Sequence, residues 1–113
     1  MDKTALTTGH TFEFYDGTTC QMSLAFIQLK RLASKNKTLY TRCQNIMTNG
    51  GKDEFDSLTV LYAAYVCANM NEENILTEDE FIEKCGTDRQ AVADAYTAMT
   101  TPKKQKASAD RSN

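Results

Sequence analysis

Carboxylate and amide side chains recur between Asn69 and Glu80 at intervals that match those of a calcium-binding loop. EF-hand loops place oxygen ligands at their positions 1, 3, 5, 9 and 12 and need a sharp turn at position 6. Counted from Asn69, this register puts Asn71, Glu73 and Glu80 at ligand positions. These four residues are a candidate metal site, and a calcium-responsive adaptor is one alternative function.

The same segment departs from an EF-hand at positions that control calcium affinity. Asn69 stands where a charged aspartate is expected, and Asn74 stands where glycine is expected. Only Glu73 and Glu80 would bring charge to the ion. Helix ends explain the same residues, because Asn69 can end one helix while Thr77 and Glu80 form a capping box for the next. The sequence therefore favours helix capping over calcium binding.

Residues that could support catalysis are otherwise sparse. The chain has one histidine, His10, and none of the common serine-hydrolase, zinc-protease or phosphate-loop motifs. Its four cysteines lie far apart and form no C-x-x-C pair, a usage typical of reduced thiols in a core. These features predict a protein that is not an enzyme and that carries no cofactor.

Charge is distributed unevenly along the chain. Residues 30–42 carry five bases and no acid, whereas residues 53–94 carry eleven acids and two bases. The acidic half argues against a nucleic-acid interface and favours protein partners. The basic run is interpreted as a solvated surface that favours a helix dipole, with a small nucleic-acid-binding regulator as a second alternative.

The length of 113 residues and the hydrophobic content of 41% predict one globular domain at residues 10–101. Residues 1–9 are expected to form an N-terminal arm. Residues 102–113 are expected to form a disordered basic tail, because residues 103–113 contain no apolar side chain larger than alanine. No stretch approaches the roughly 18 to 20 apolar residues of a membrane span, so we expect a cytoplasmic protein.

Apolar periodicity predicts an α+β fold that is predominantly α, with an N-terminal β-hairpin packed on a bundle of four to five short helices. Alternating residues surround Asp16-Gly17, which supplies the hairpin turn. Ser23 is the expected cap of a helix over 24–33, whose apolar positions cover a wide face. A second, amphipathic helix ends at residues 49–51, Asn-Gly-Gly.

The third predicted helix opens at Asp53 or Asp56 and is apolar on every side in its middle. A helix that is apolar all round is buried all round, so we expect it at the centre of the domain. Threonine-led capping boxes at residues 77–80 and 87–90 begin the last two helices. The final helix is expected to bury Val92, Tyr96 and Met99.

The order of these elements resembles that of tail assembly chaperones encoded by phages and prophages of Firmicutes. The resemblance covers residues 10–104, and it includes the Asp-Gly hairpin, the helix over 24–33 and the segments 53–69 and 77–82. Its most specific part is residues 61–69, which read Leu-Tyr-Ala-Ala-Tyr-Val-Cys-Ala-Asn.

The resemblance implies a non-enzymatic chaperone that binds the tape measure protein during tail morphogenesis, with the major tail tube protein as a further partner. A holding chaperone needs apolar contact area, and flexible methionine and aromatic side chains suit such surfaces. We expect the partner to contact Met22, Met70, Tyr62 and Tyr65. The acidic half of the chain is expected to steer basic segments of the partner toward this surface.

Overall fold

Two short strands begin the fold in the computed structural model, which describes residues 9–101. Apart from Gly9, the expected N-terminal arm lies outside the described residues, and so does the whole of the expected basic tail. Strand β1 (His10–Glu13) pairs antiparallel with β2 (Thr19–Met22), with His10 opposite Met22.

The hairpin turn forms around Asp16-Gly17, as the sequence predicts. Phe14 N donates to Thr18 O at 2.7 Å, and Gly17 N donates to Phe14 O at 2.9 Å. Gly17 has a φ of +90°, a backbone conformation that residues with a side chain rarely adopt. The Asp16 carboxylate accepts hydrogen bonds from the hydroxyl and backbone N–H of Thr18, and these bonds hold the pKa of Asp16 below its usual value.

Five helices follow the hairpin in the described part of the chain, which confirms the predicted α+β, predominantly α, fold class. The helices are α1 (Phe26–Lys35), α2 (Lys37–Asn49), α3 (Glu54–Ala68), α4 (Glu78–Cys85) and α5 (Arg89–Thr100). Helix α2 ends where predicted, because Gly50 adopts a φ of +85° immediately after Asn49.

Helix α3 is the centre of the domain, as its apolar composition predicts. Asp53 caps its start by accepting from Asp56 N at 3.1 Å. Every residue from Leu58 to Cys67 except Tyr62 is buried. Strand β2 and all four other helices pack against α3. Burial on every side explains why this helix has no polar face in its middle.

Two predicted helix caps are wrong. Helix α1 begins at Phe26, and Ala25 precedes it without a capping side chain. Ser23 lies before the helix: its N–H donates to Ala64 O of α3 at 3.0 Å, and its hydroxyl accepts from Ala25 N at 3.2 Å, one residue short of the helix start. Thr87 does not cap α5 either, since the Asp88 carboxylate accepts from Ala91 N at 3.1 Å and takes that role. The capping box of Thr77 and Glu80 is confirmed.

The core expected for α5 is only partly confirmed. Val92 and Ala95 are buried, whereas Tyr96 and Met99 keep some exposure and pack against the edge of the core. Their position follows from the place of α5 at the periphery, where one face of a helix meets α3 and the opposite face meets solvent.

An aromatic cluster joins the hairpin to α3 and α4. Phe81 of α4 has no exposed surface, and its ring centroid lies 5.4 Å from that of Tyr65 and 5.6 Å from those of Phe14 and Tyr62. Phe12 completes the cluster at 6.3 Å from Phe81. Edge-on and offset contacts at these distances add to the free energy gained from burial alone.

The hairpin loop also docks on the end of α4. Tyr15 N donates to Lys84 O at 2.9 Å, and Lys84 Nζ lies 3.5 Å from the Asp16 carboxylate. The same ammonium lies 4.7 Å from the centre of the Phe14 ring. Gly86, with a φ of +64°, lies directly beneath Tyr15. A residue without a side chain is therefore required at this contact.

Candidate protein-docking groove

Four large apolar side chains are exposed in the described part of the chain. They are Phe26 (92% exposed), Phe55 (68%), Tyr15 (67%) and Ile27 (52%). Single exposed apolar residues are common on protein surfaces, whereas an exposed aromatic side chain beside an apolar depression marks a binding site. Phe26 and Ile27 are adjacent at the start of α1, so their surroundings decide their significance.

Phe26 lies at a groove between α1 and α2 with a volume of about 500 Å³. Residues from both helices line the groove: Phe26, Leu29, Lys30, Ala33, Tyr40, Gln44, Met47 and Thr48. On α1 the lining residues follow the i, i+3, i+4, i+7 spacing of one helical face, and on α2 they follow i, i+4, i+7, i+8. Two matching helix faces therefore form one continuous, mainly apolar depression.

The groove stays open because neither helix can bury all of its apolar side chains. Leu29 and Leu32 of α1 are buried in the core, whereas Phe26, at the first position of the helix, remains exposed at the end of the groove. On α2, Leu39 and Cys43 are buried, whereas Tyr40 and Met47 remain half-buried along the groove.

A single residue connects the two helices that form the groove. Asn36 N donates to Leu32 O at 2.7 Å, which ends α1, and the Asn36 side chain accepts from Leu39 N at 3.1 Å, which begins α2. Because one residue serves both helix ends, it fixes how the two faces meet. The groove is thus built on regular elements instead of a long loop.

Both helices of the groove are basic. Residues 26–49 contain five bases and no acid. Of these bases, Arg42 is committed to the fold: its guanidinium donates to both carboxylate oxygens of Glu78, at 2.9 and 3.1 Å, and to the Thr59 hydroxyl at 3.1 Å. The hydrogen bonds to Glu78 raise the pKa of Arg42 above its ordinary value. The remaining four bases, Lys30, Arg31, Lys35 and Lys37, are exposed, and none pairs with a carboxylate within residues 9–101.

A smaller pocket of about 210 Å³ lies on another part of the surface, beside Phe55. It is lined by residues from the start of α3, the end of α4 and the start of α5. An ion pair between Arg89 and Glu54, at 2.7 Å, involves two of its lining residues. Its small size and mixed charge make it a weaker docking surface than the groove.

The expected contact residues lie elsewhere. Met22 has no exposed surface and Tyr65 is 7% exposed, so the structure corrects the expectation that they offer a surface to a partner. Their burial follows from the packing of β2 against α3. Tyr62 and Met70 are half-buried against the core. The hydroxyl of Tyr62 donates to Leu76 O at 2.9 Å, and that of Tyr65 accepts from Leu76 N at 2.8 Å.

The sequence did not single out Phe26 and Tyr40 as candidates for a docking surface. A signal was present, because the apolar positions of α1 cover a wider face than a ten-residue helix at the edge of a small domain can bury. The sequence shows that α1 has more apolar side chains than it can bury. It does not show which of them remain exposed until the face of α1 that packs on the core is known. That face depends on how α1 packs on α3, which local sequence does not specify.

The EF-hand-like residues serve the ends of helices. The Asn69 amide donates to Tyr65 O at 2.8 Å and to Gln21 O at 3.1 Å, which ties the end of α3 to β2. Glu80 accepts from Thr77 N at 2.9 Å in the capping box, while Asn71 and Glu73 are exposed. Between residues 9 and 101, no three or more histidine, cysteine or acidic side chains are grouped so that they could hold a metal ion.

The four cysteines are free thiols, as the sequence predicts. Cys43, Cys67 and Cys85 are buried, and Cys20 is half-buried. Burial raises the pKa of Cys43 and of Cys85 to about 11 and that of Cys67 to about 12, because the thiolate would lose its hydration. Burial likewise raises the pKa of Cys20 to about 11. The thiols are therefore protonated and poorly nucleophilic at neutral pH.

We expect these thiols to react slowly in the folded protein and to make its stability fall in alkaline solution. Unfolded thiols ionise near pH 8.5, whereas the folded ones keep their protons to about pH 11. Their contribution to the free energy of unfolding is thus complete below about pH 8.5 and is lost as the pH rises toward the folded pKa. Thiol titration with a chromogenic disulfide at about pH 8 should modify Cys20 first and the other three only after denaturant is added. Equal rates for folded and unfolded protein would contradict the burial of the thiols.

No helix within residues 9–101 has the length and apolar content needed to cross a membrane. Comparison of the chain with protein-family profiles, with curated proteins and with solved structures finds no match. Any function proposed for the chain therefore depends on its own residues, of which those of the α1–α2 groove line the larger of the two depressions described above.

Proposed function

We propose that this chain is a phage or prophage tail assembly chaperone that holds an apolar helical segment of the tape measure protein in the α1–α2 groove. The observation that carries the proposal is the exposure of Phe26, 92%, at the rim of a groove of about 500 Å³. A phenylalanine left in water contributes no hydrophobic free energy to folding. A partner that covers the ring gains that free energy on binding.

The proposal joins two independent supports. The groove supports a protein-docking module, because facing helix stripes are the surface into which a third amphipathic helix packs. The resemblance to tail assembly chaperones supplies the partner, a long apolar helix-prone protein that must be kept from aggregating. The major tail tube protein is the second proposed partner, and the proposed place of action is the bacterial host cytoplasm.

The two alternative functions draw less support from the site. A calcium-responsive adaptor would need Asn69 and Glu80, which are used to end α3 and to cap α4. A nucleic-acid-binding regulator would use the bases of α1 and α2, yet the surface between these helices is lined mainly by apolar side chains. Aliphatic side chains do not stabilise a phosphate backbone, so the groove favours a protein partner.

Co-expression with the tape measure protein tests the proposal. We expect the soluble fraction of the tape measure protein to rise severalfold when this chain is present, and the two proteins to co-purify. The Phe26→Ser variant should lose this effect, because it removes the most exposed apolar side chain of the groove. Its melting temperature should match that of the wild type, since Phe26 contributes little buried area to the fold.

The matched control is Phe55→Ser, which changes another exposed phenylalanine, 68% exposed, outside the groove. This variant should keep full chaperone activity. If the tape measure protein precipitates equally with and without the wild-type chain, the chaperone assignment is wrong. If Phe26→Ser and Phe55→Ser behave alike, the groove is not the docking surface.

A further inference from the structure

We infer that the segment held in the α1–α2 groove is an amphipathic helix whose polar flank carries carboxylates. The inference rests on the proposed function in one respect, that the groove is a docking surface for a helix. It goes beyond the proposed function by specifying the charge of the partner helix. The sequence alone predicts the opposite charge, because the acidic half of the chain is expected to steer basic segments of the partner.

Four exposed bases of α1 and α2 lie at different places relative to the groove. Lys30 lines the groove beside Leu29 and Ala33. Arg31 is its neighbour on α1, and Lys35 and Lys37 flank the single residue that joins the two helices. All four side chains are exposed and unpaired with carboxylates in the described part of the chain. At about 3.6 residues per turn, Arg31 and Lys35 fall on the side of α1 away from its lining residues, whereas Lys37 precedes Tyr40 and Gln44 at the i, i+3, i+7 spacing of the groove face of α2. A helix lying in the groove would therefore meet Lys30 along its edge and Lys37 near one end.

The stability of the two helices does not explain all of these bases. Lys35 lies in the last turn of α1, where a positive charge is favourable. Lys37 occupies the first position of α2, where a positive charge opposes the helix dipole, and the first turn of α2 has no acid. The first turns of α3 and α4 are acidic, and Arg89, the base at the first position of α5, pairs with Glu54, whereas Lys37 has no such partner in the described part of the chain. The unfavourable placement of Lys37 becomes favourable when a carboxylate of a partner lies near it.

Two occupants that belong to this chain fit the groove less well than an acidic helix of a partner. Residues 102–113 carry four bases and one acid, so the basic groove would repel them. In a second copy, two acids of the first turn of α4 are already engaged: Glu78 pairs with Arg42, and Glu80 closes the capping box. Apart from Asp2, Glu13, Asp16 and Asp110, the acidic residues of this chain lie on α3, α4, α5 and the loops next to them, and none lies on the helices that form the groove.

A pair of synthetic peptides tests the inference on the full-length protein. Both peptides have roughly eighteen residues and the same leucines at i, i+3, i+4 and i+7, which suit a helix in a groove. One carries glutamates at the flanking positions and the other carries lysines. Fluorescence anisotropy at about 50 mM salt should give a dissociation constant at least about tenfold lower for the acidic peptide. At about 500 mM salt the difference should fall severalfold, because exposed charges are then screened.

Matched charge reversals test which bases matter. Lys30→Glu should weaken binding of the acidic peptide about threefold or more and strengthen binding of the basic one. Lys52→Glu makes the same charge change at an exposed residue outside the groove, and it should change both affinities much less. Phe26→Ser should weaken both peptides alike, because they share the same apolar face.

Each outcome separates this inference from the proposed chaperone role. Equal affinity for the two peptides, or a preference for the basic one, overturns the inference even if the tape measure protein is kept soluble. A clear acidic preference that Lys30→Glu reduces and Lys52→Glu does not supports it even if the tape measure protein precipitates in co-expression. Tight binding of a duplex DNA probe that competes with the acidic peptide would overturn it in favour of a nucleic-acid surface, and dimerisation abolished by Phe26→Ser would overturn it in favour of a second copy.

Discussion

The Phe81→Ala variant is expected to lower the free energy of unfolding by about 3 to 5 kcal/mol. Phe81 has no exposed surface, and its ring contacts aromatic residues from the hairpin and from α3. Removing the ring leaves a cavity that the surrounding rings cannot fill without losing their own contacts. Urea unfolding followed by circular dichroism measures the change through the midpoint and slope of the transition.

Phe55→Ala is the matched control for this variant. It removes the same ring from a side chain that is 68% exposed, so we expect a change within about 0.5 kcal/mol. Similar transition midpoints for Phe81→Ala and for the wild type would show that the aromatic cluster does not hold the hairpin on the helices. A loss confined to the hairpin, seen as early amide exchange there, would show that α3 packs independently of it.

The second large effect is expected at Gly86, where alanine should lower the free energy of unfolding by about 3 kcal/mol. Two causes act together. The backbone at Gly86 has a φ of +64°, which strains any residue with a side chain. A methyl group there would also lie 2.6 Å from Tyr15 Cβ. Tyr15 cannot move away by rotating its side chain, because Cβ is fixed to a backbone whose N–H donates to Lys84 O.

Gly50→Ala separates these two causes. Gly50 has a similar positive φ of +85°, but no atom lies within 4 Å of the position that a methyl group would take. Alanine at Gly50, where ψ is 147°, should therefore cost only the conformational strain, about 1 to 2 kcal/mol. If thermal or urea unfolding gives equal losses for the two variants, the docking of the hairpin loop on the end of α4 contributes nothing to stability.

Much of the fold could be predicted from the sequence because its signals are local. The Asp16-Gly17 turn, the glycine that ends α2 and the capping box of Thr77 and Glu80 each depend on a few neighbouring residues. The central position of α3 could also be predicted, because a helix without a polar face in its middle has only one environment in which it is stable. The predicted cap at Ser23 failed where a distant contact intervenes, because the Ser23 backbone is held by Ala64, whereas at α5 the neighbouring Asp88 takes the role expected of Thr87.

The candidate site could be predicted only in part. The sequence by itself determined that the chain has apolar side chains beyond those a small core needs, and that bases and acids occupy different segments. Only the tertiary structure decided which apolar residues are left over: it buried Met22 and Tyr65 and left Phe26 exposed. It likewise paired Arg42 with Glu78 and left Lys30 beside the groove. The physical reason is that exposure and charge pairing depend on which helix faces meet, and those contacts join residues far apart in the chain.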